Sequence, residues 1–283
     1  MLKANAYAKL NWTLGIKGKR SDGYHELDML MQSVSLCDVL TFENADELSL
    51  TVDGKYYPWD NKFLVCRAAD AISQGRFHAR ITLDCRIPSM AGLGGGSADC
   101  AAALIGLNRL WNAGLSNAEL LAIGKKLGAD VPLCLTGGFL HAEGIGEKLT
   151  DAGKGYRGKL VLAMPKTGNS TPVMFSAYDS EQHTYTDINN AAVIRALENT
   201  DFSLLTKTFR NDLFPTAMSL NPDMADLYTK MQELKPDFLS MSGSGACLIG
   251  IYRDNASAVH TLSPFCSFCK EVGTMDKGVE LYQ

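Results

Sequence analysis

The chain has 283 residues, 46% of them hydrophobic and 20% charged, with a formal net charge of -4. That length supports one large or two moderate domains with real cores, and the composition is that of an ordinary globular protein. The acidic balance argues against a nucleic-acid or anionic-membrane surface, and no apolar run is long enough to span a bilayer.

The first residues are punctuated by Lys3, Asn5, Lys9 and Asn11 and hold no apolar signal core, so a cytoplasmic location is expected. Residues 6–16 alternate. Ala6, Ala8, Leu10, Trp12, Leu14 and Ile16 share one face of a strand, and Tyr7, Lys9, Asn11 and Thr13 share the other. Residues 17–23 form a basic, glycine-containing loop. Strands are expected at 27–36, 39–43 and 48–52, with Asp53-Gly54 as a turn, and a helix at 63–73. Residues 80–87 alternate again and read as a half-buried strand. After the glycine-rich segment 88–98, Ala98, Ala101, Ala102, Leu104, Ile105 and Leu107 suit a helix. Ser116 and Glu119 form a capping-box signature for a helix to about Leu127, with Gly128 as its stop.

Residues 151–158 are rich in glycine and charge and mark the expected division into domains 1–152 and 153–283. Beyond it, a strand is expected at 159–164. Thr171 reads as an N-cap followed by Pro172 at the first helical position. Helices at 191–197, 202–209, 223–234 and 256–262 alternate with strands at 238–241, 246–252 and 268–274. Strands interleaved with paired helices imply an α+β sandwich. The eight cysteines lie mostly in apolar surroundings and read as reduced core residues. Cys266 and Cys269 form a lone CxxC with no second ligand pair, so no metal is assigned to it.

The chemistry concentrates in Pro88-Ser89-Met90-Ala91-Gly92-Leu93-Gly94-Gly95-Gly96-Ser97-Ala98, a glycine-rich loop between a strand and a helix N-terminus. Glycines let backbone N–H groups close around a ligand, and the helix start adds free donors and a positive dipole end. Together these favour a phosphate. The segment contains no lysine, which excludes a Walker loop. Counting from Gly92, the sixth position of a dinucleotide fingerprint would be Ser97, which excludes that motif too.

The pattern resembles the ATP loop of the GHMP kinase superfamily. Three further stretches tighten the resemblance: Ala8-Lys9-Leu10-Asn11 followed by Gly18-Lys19-Arg20-Ser21-Asp22-Gly23-Tyr24-His25-Glu26-Leu27, then Gly128-Ala129-Asp130-Val131-Pro132 with Gly137-Gly138, then Met241-Ser242-Gly243-Ser244-Gly245-Ala246. In order along nearly the whole chain, they are similar to the branch of that superfamily whose substrate is a cytidine-diphosphate-linked sugar alcohol. The resemblance implies a ribosomal-protein-like ATP-binding domain and a ferredoxin-like second domain. It also implies ATP-dependent phosphorylation of the substrate's 2-hydroxyl, on the non-mevalonate route to isoprenoid precursors, with Mg2+ accompanying ATP.

Carried onto this sequence, the resemblance makes Asp130 the general base and Lys9 its cationic partner. A carboxylate can take the proton of a poor alcohol nucleophile, and an adjacent ammonium stabilises charge on the transferred group. Tyr24 and Phe175 would sandwich the cytosine while His25 bonds its edge. Asn11 shares a strand face with Lys9 and would point into the same site. Gly243, Ser244 and Gly245 would hold the substrate diphosphate through backbone N–H groups, or form a plain glycine turn. Phe63 stands where relatives often carry an asparagine near the adenine, so no adenine contact is assigned. The competing readings are a GHMP kinase acting on mevalonate, phosphomevalonate or homoserine, a non-catalytic nucleotide-binding or regulatory protein on the same fold, and an RNA-binding module. The Gly-Tyr-His segment, the Lys9–Asp130 pair and the acidic balance speak against them in turn.

Overall fold

The computed structural model describes residues 1–283. Two long strands open the chain, β1 (Leu2–Lys19) and β2 (His25–Asn44), paired antiparallel along their length. The sequence suggested two strands where β2 is one. The polar interruption is Asp38, whose buried carboxylate accepts backbone N–H groups of Arg86 and Ile87, so it stays within the sheet. β1 is buried on both faces, because Lys9, Asn11 and Thr13 face the protein interior rather than solvent. β3 (Ser49–Val52) and β4 (Lys55–Tyr57) form a hairpin through Asp53 and Gly54, followed by α1 (Leu64–Ser73) and β5 (Ala79–Asp84). β5 stops short of residue 87 because Asp38 captures the amides that would have continued its ladder.

α2 (Gly95–Leu110) follows the glycine loop and is buried through Ala98 to Leu104. α3 (Asn117–Leu127) carries the expected capping box: Ser116 Oγ accepts the Glu119 N–H at 3.3 Å and Glu119 accepts the Ser116 N–H at 2.8 Å. A short helix α4 (Val131–Thr136), with Pro132 in its first turn, follows Asp130. β6 (Phe139–Gly144) and β7 (Lys148–Asp151) complete the first half.

The second half runs β8 (Lys159–Met164), α5 (Thr171–Tyr178), α6 (Asn190–Glu198), α7 (Phe202–Thr208), α8 (Phe214–Leu220), α9 (Pro222–Glu233), β9 (Phe238–Met241), β10 (Leu248–Ile251), α10 (Asn255–Leu262), β11 (Phe268–Met275) and β12 (Val279–Tyr282). Strand order β11-β8-β10-β9 with antiparallel neighbours is the ferredoxin-like arrangement. α8 and β12 had no signal strong enough to anticipate from sequence. The helix cap expected at Thr171 falls one residue earlier, at Ser170, because the Thr171 hydroxyl hydrogen-bonds Ser244 Oγ at 2.7 Å.

The halves are joined rather than merely tethered. β11 pairs with β8 and with β2, and β12 lies against β1, so the last strand belongs to the sheet of the first half. One apolar core of 70 buried residues runs through both, which holds the cleft between them in a fixed shape.

Candidate active site

A cavity of about 1020 Å³ lies where β1, the glycine loop, the turn before α4, the end of the β1–β2 hairpin and α5 converge. Pro88 to Ser97 line it, together with Lys9, Asn11, Tyr24, His25, Asp130, Phe175, Gly243 and Ser244. Two expected residues do not. Ala98 is fully buried in the first turn of α2, where its N–H bonds Gly94 O at 2.9 Å. Gly245 turns its N–H to Ser242 O at 2.9 Å, so that amide is not available to a ligand.

The loop's amides face the cleft because its carbonyls are tied to the protein. Met90 O accepts from the N–H groups of Asn169 and Ala246, Ala91 O from Cys247, and Leu93 O from Lys9. Gly92 O accepts the Ser242 hydroxyl at 3.0 Å. No N–H group of residues 89–97 has a partner within the protein. A run of unpaired amides leading into a helix N-terminus is an anion cradle. Gly92 and Gly94 have φ of +74° and +72°. At Gly92 a Cβ would collide with the Ser242 carbonyl, so the loop and the 241–246 turn approach as closely as backbones can.

Beside this cradle, Lys9 Nζ lies 3.4 Å from Asp130 Oδ2 and donates to Asn11 Oδ1 at 2.8 Å. Asn11 therefore orients the lysine, and its own N–H bonds Ser242 Oγ at 3.2 Å. The lysine stem crosses Gly94, where a Cβ would stand 3.0 Å from Lys9 Cγ. Asp130 precedes α4 but makes no side-chain cap, so its carboxylate is left for the cleft and is 31% exposed there. The Lys9 side chain is 7% exposed. This is a carboxylate with solvent and substrate access, paired to a buried ammonium, at the edge of a phosphate cradle.

At the other end of the cleft, His25 stacks on Phe175 with centroids 4.7 Å apart and planes at 22°. Tyr24 is 61% exposed and stands clear of both. The ring packed on Phe175 is thus His25, not Tyr24. His25 Nε2 is 2.7 Å from Asp179 Oδ1, and Lys19 Nζ is 2.6 Å from Asp179 Oδ2. Burial alone would raise the Asp179 carboxyl, but the hydrogen bonds from Lys19 and His25 hold it below its ordinary value.

Sequence reasoning missed Asp179, Lys19, Ser242 and Asn169, which act on the site through contacts that have no local signature. Asp99, in the first turn of α2, is buried against Asp38. Burial and the Asp38 charge lift the Asp99 carboxyl well above its ordinary value. Asp99 Oδ1 has no partner of its own.

The GHMP kinases N terminal domain family matches residues 63–138, and the GHMP kinases C terminal family matches 193–271. The chain is 36% identical over 272 residues to the 4-diphosphocytidyl-2-C-methyl-D-erythritol kinase of Enterococcus faecalis, covering 94% of this chain and 95% of that one. It is 39% identical over 249 residues to the enzyme of that name from Carboxydothermus hydrogenoformans, covering 87% and 86%. A crystal structure of 4-(cytidine 5'-diphospho)-2C-methyl-D-erythritol kinase superposes with a TM-score of 0.79 at 30% identity, covering 96% of this chain and 99% of that one. Phosphate cradle, Lys9–Asp130 pair and two-domain fold together agree with these likenesses: the chain belongs to the ATP-using GHMP kinases, and within them to the 4-diphosphocytidyl-2-C-methyl-D-erythritol kinase family.

Proposed function

We propose that this chain transfers the γ-phosphoryl group of ATP to the 2-hydroxyl of 4-diphosphocytidyl-2-C-methyl-D-erythritol. The observation that carries the reading is the Lys9–Asp130 pair, 3.4 Å apart at the rim of a loop whose amides are unpaired. Asp130 takes the hydroxyl proton as the oxygen attacks the γ-phosphorus, and the bond to the bridging β–γ oxygen breaks to release ADP. Lys9, aimed by Asn11, stabilises the negative charge gathering on the transferred group. Residues 88–97 hold the ATP phosphates. Residues 1–152 supply the loop, the base and its lysine, and 153–283 supply Phe175 and the Gly243–Ser244 turn toward the acceptor.

Magnesium belongs to this reaction as part of the ATP substrate. No group of three His, Cys, Asp or Glu side chains could hold a metal alone. Mg2+ keeps several waters and is held by substrate phosphates with one or two carboxylates.

At the acceptor end, Tyr24, His25 and Phe175 grip the cytosine, and the amides of Gly243 and Ser244 face its diphosphate. The test is ADP release measured with 4-diphosphocytidyl-methylerythritol, mevalonate and homoserine side by side. Turnover only with the first is expected; preferred turnover of either other alcohol would overturn the reading.

A further inference from the structure

The hydrogen-bonding state of His25 is set from outside the ring. Lys19 and His25 are register partners at the end of the β1–β2 hairpin, so both side chains reach the same point. That point is Asp179, at the C-terminal end of α5. Phe175 and Asp179 are four residues apart and share a helix face, so α5 offers a ring to the flat of His25 and a carboxylate to its edge. A carboxylate only accepts, so the proton shared with Asp179 Oδ1 sits on Nε2. In a neutral imidazole the other nitrogen is then a bare acceptor. Nδ1 has no partner in the protein and is not among its buried unpaired atoms, so it is open to the cleft.

We propose that Asp179 is a specificity-determining positioning residue: by accepting the Nε2 proton of His25 it keeps Nδ1 an acceptor, which takes an N–H from the exocyclic amino group of cytosine and repels the carbonyl that uracil carries there. Base choice is made by a residue that does not touch the base. This rests on the proposal that the cytidine end binds at His25.

Lys19 makes the idea testable. In Asp179→Asn the ammonium of Lys19, a pure donor, claims the amide oxygen. The amide N–H2 is left facing Nε2, which must then accept, and the ring proton moves to Nδ1. The substitution therefore inverts the group offered to the base with almost no change of shape. Removing Lys19 as well lets the amide turn its oxygen to Nε2 and restores the original tautomer.

The experiment is calorimetric titration of CDP and UDP into four proteins: wild type, Asp179→Asn, Lys19→Met and the double variant. Wild type is expected to prefer CDP. Asp179→Asn should weaken CDP by about tenfold or more, the consequence of setting two donors against each other, and should lose or reverse the preference for CDP. The double variant should regain that preference, which a merely structural role for Asp179 would not produce. With full substrate, the change should fall on its KM and leave the KM for ATP unmoved. Long-range proton–nitrogen NMR of wild type should find the His25 proton on Nε2, a readout that needs no variant to fold. If wild type does not discriminate CDP from UDP, the cytosine reading itself fails. If it does, but Asp179→Asn keeps the preference, the double variant fails to restore it, or the proton lies on Nδ1, the role of Asp179 is overturned.

Discussion

Lys9 Nζ and Asp130 Oδ2 stand 3.4 Å apart, although one lies on the first strand and the other in the turn before α4. The pair gives the acceptor hydroxyl a base and the transferred phosphoryl a cation within one reach. Asp130→Asn should lower kcat by roughly 10²–10⁴-fold, the usual worth of a general base. ATP affinity should hold, since the carboxylate belongs to the acceptor side. Steady-state kinetics beside ATP titration checks this, and near wild-type turnover would remove Asp130 from the role.

Gly94 is the point where the cradle meets the lysine. A valine there would have to adopt φ near +72° and would press its Cβ to 3.0 Å from Lys9 Cγ. Gly94→Val should weaken ATP binding strongly and lower kcat as well, because Lys9 must move. Left-handed backbone costs a branched residue about 1–2 kcal/mol, which a chain of this size survives. Circular dichroism beside nucleotide titration is the measurement. Undiminished ATP affinity in the folded variant would dissociate the loop from phosphate binding.

Ser242 ties the second half of the chain to the loop by accepting the Asn11 N–H and donating to Gly92 O. Ser242→Ala leaves the Asn11 N–H and the Gly92 carbonyl without this partner, at a cost of about 1–3 kcal/mol for the buried Asn11 N–H. Lower thermal stability together with weaker ATP binding is expected. A loss of stability with ATP affinity intact would mean that the clamp does not shape the cradle.

Tyr24 is exposed and free to close on a base. Base–aromatic stacking is worth about 1–3 kcal/mol per base, so Tyr24→Ala should raise the dissociation constant for CDP by roughly tenfold or more. ATP affinity should not change. Equal CDP binding by the variant would take Tyr24 out of the cytidine site.

The Asp38–Asp99 pair makes stability depend on pH. The Asp99 carboxyl is raised in the folded protein, by burial first and the Asp38 charge second. The folded chain therefore keeps a proton that the unfolded chain has released above about pH 4. Its contribution to stability falls as pH rises from there toward the folded value. Asp99→Asn supplies a permanent neutral donor to Asp38 and removes that slope. The variant should gain about a few degrees in Tm over wild type at pH 8 and less at pH 5. Melting curves across that range decide it, since a difference that does not vary with pH would exclude a titrating pair.

Local rules carried the sequence a long way. Alternation placed Lys9 and Asn11 on one face, and their side chains meet at 2.8 Å. Ser116 and Glu119 announced the start of α3 because a capping box is made within one turn. The glycine cluster announced an anion loop because its chemistry is its own backbone. Everything that depends on residues distant in sequence was settled by the tertiary structure. Asp38 let β2 run unbroken only because Arg86, Ile87 and Asp99 arrive to satisfy it. The loop's amides turn to the cleft because Ser242, Asn169, Cys247 and Lys9 hold its carbonyls elsewhere. Whether His25 offers a bare acceptor at Nδ1 depends on Asp179, which reaches its Nε2 only when α5 packs across the hairpin. A side chain's hydrogen-bonding capacity is written in its own identity, but which partner satisfies it, and so what it has left for a substrate, is decided only when the chain closes on itself.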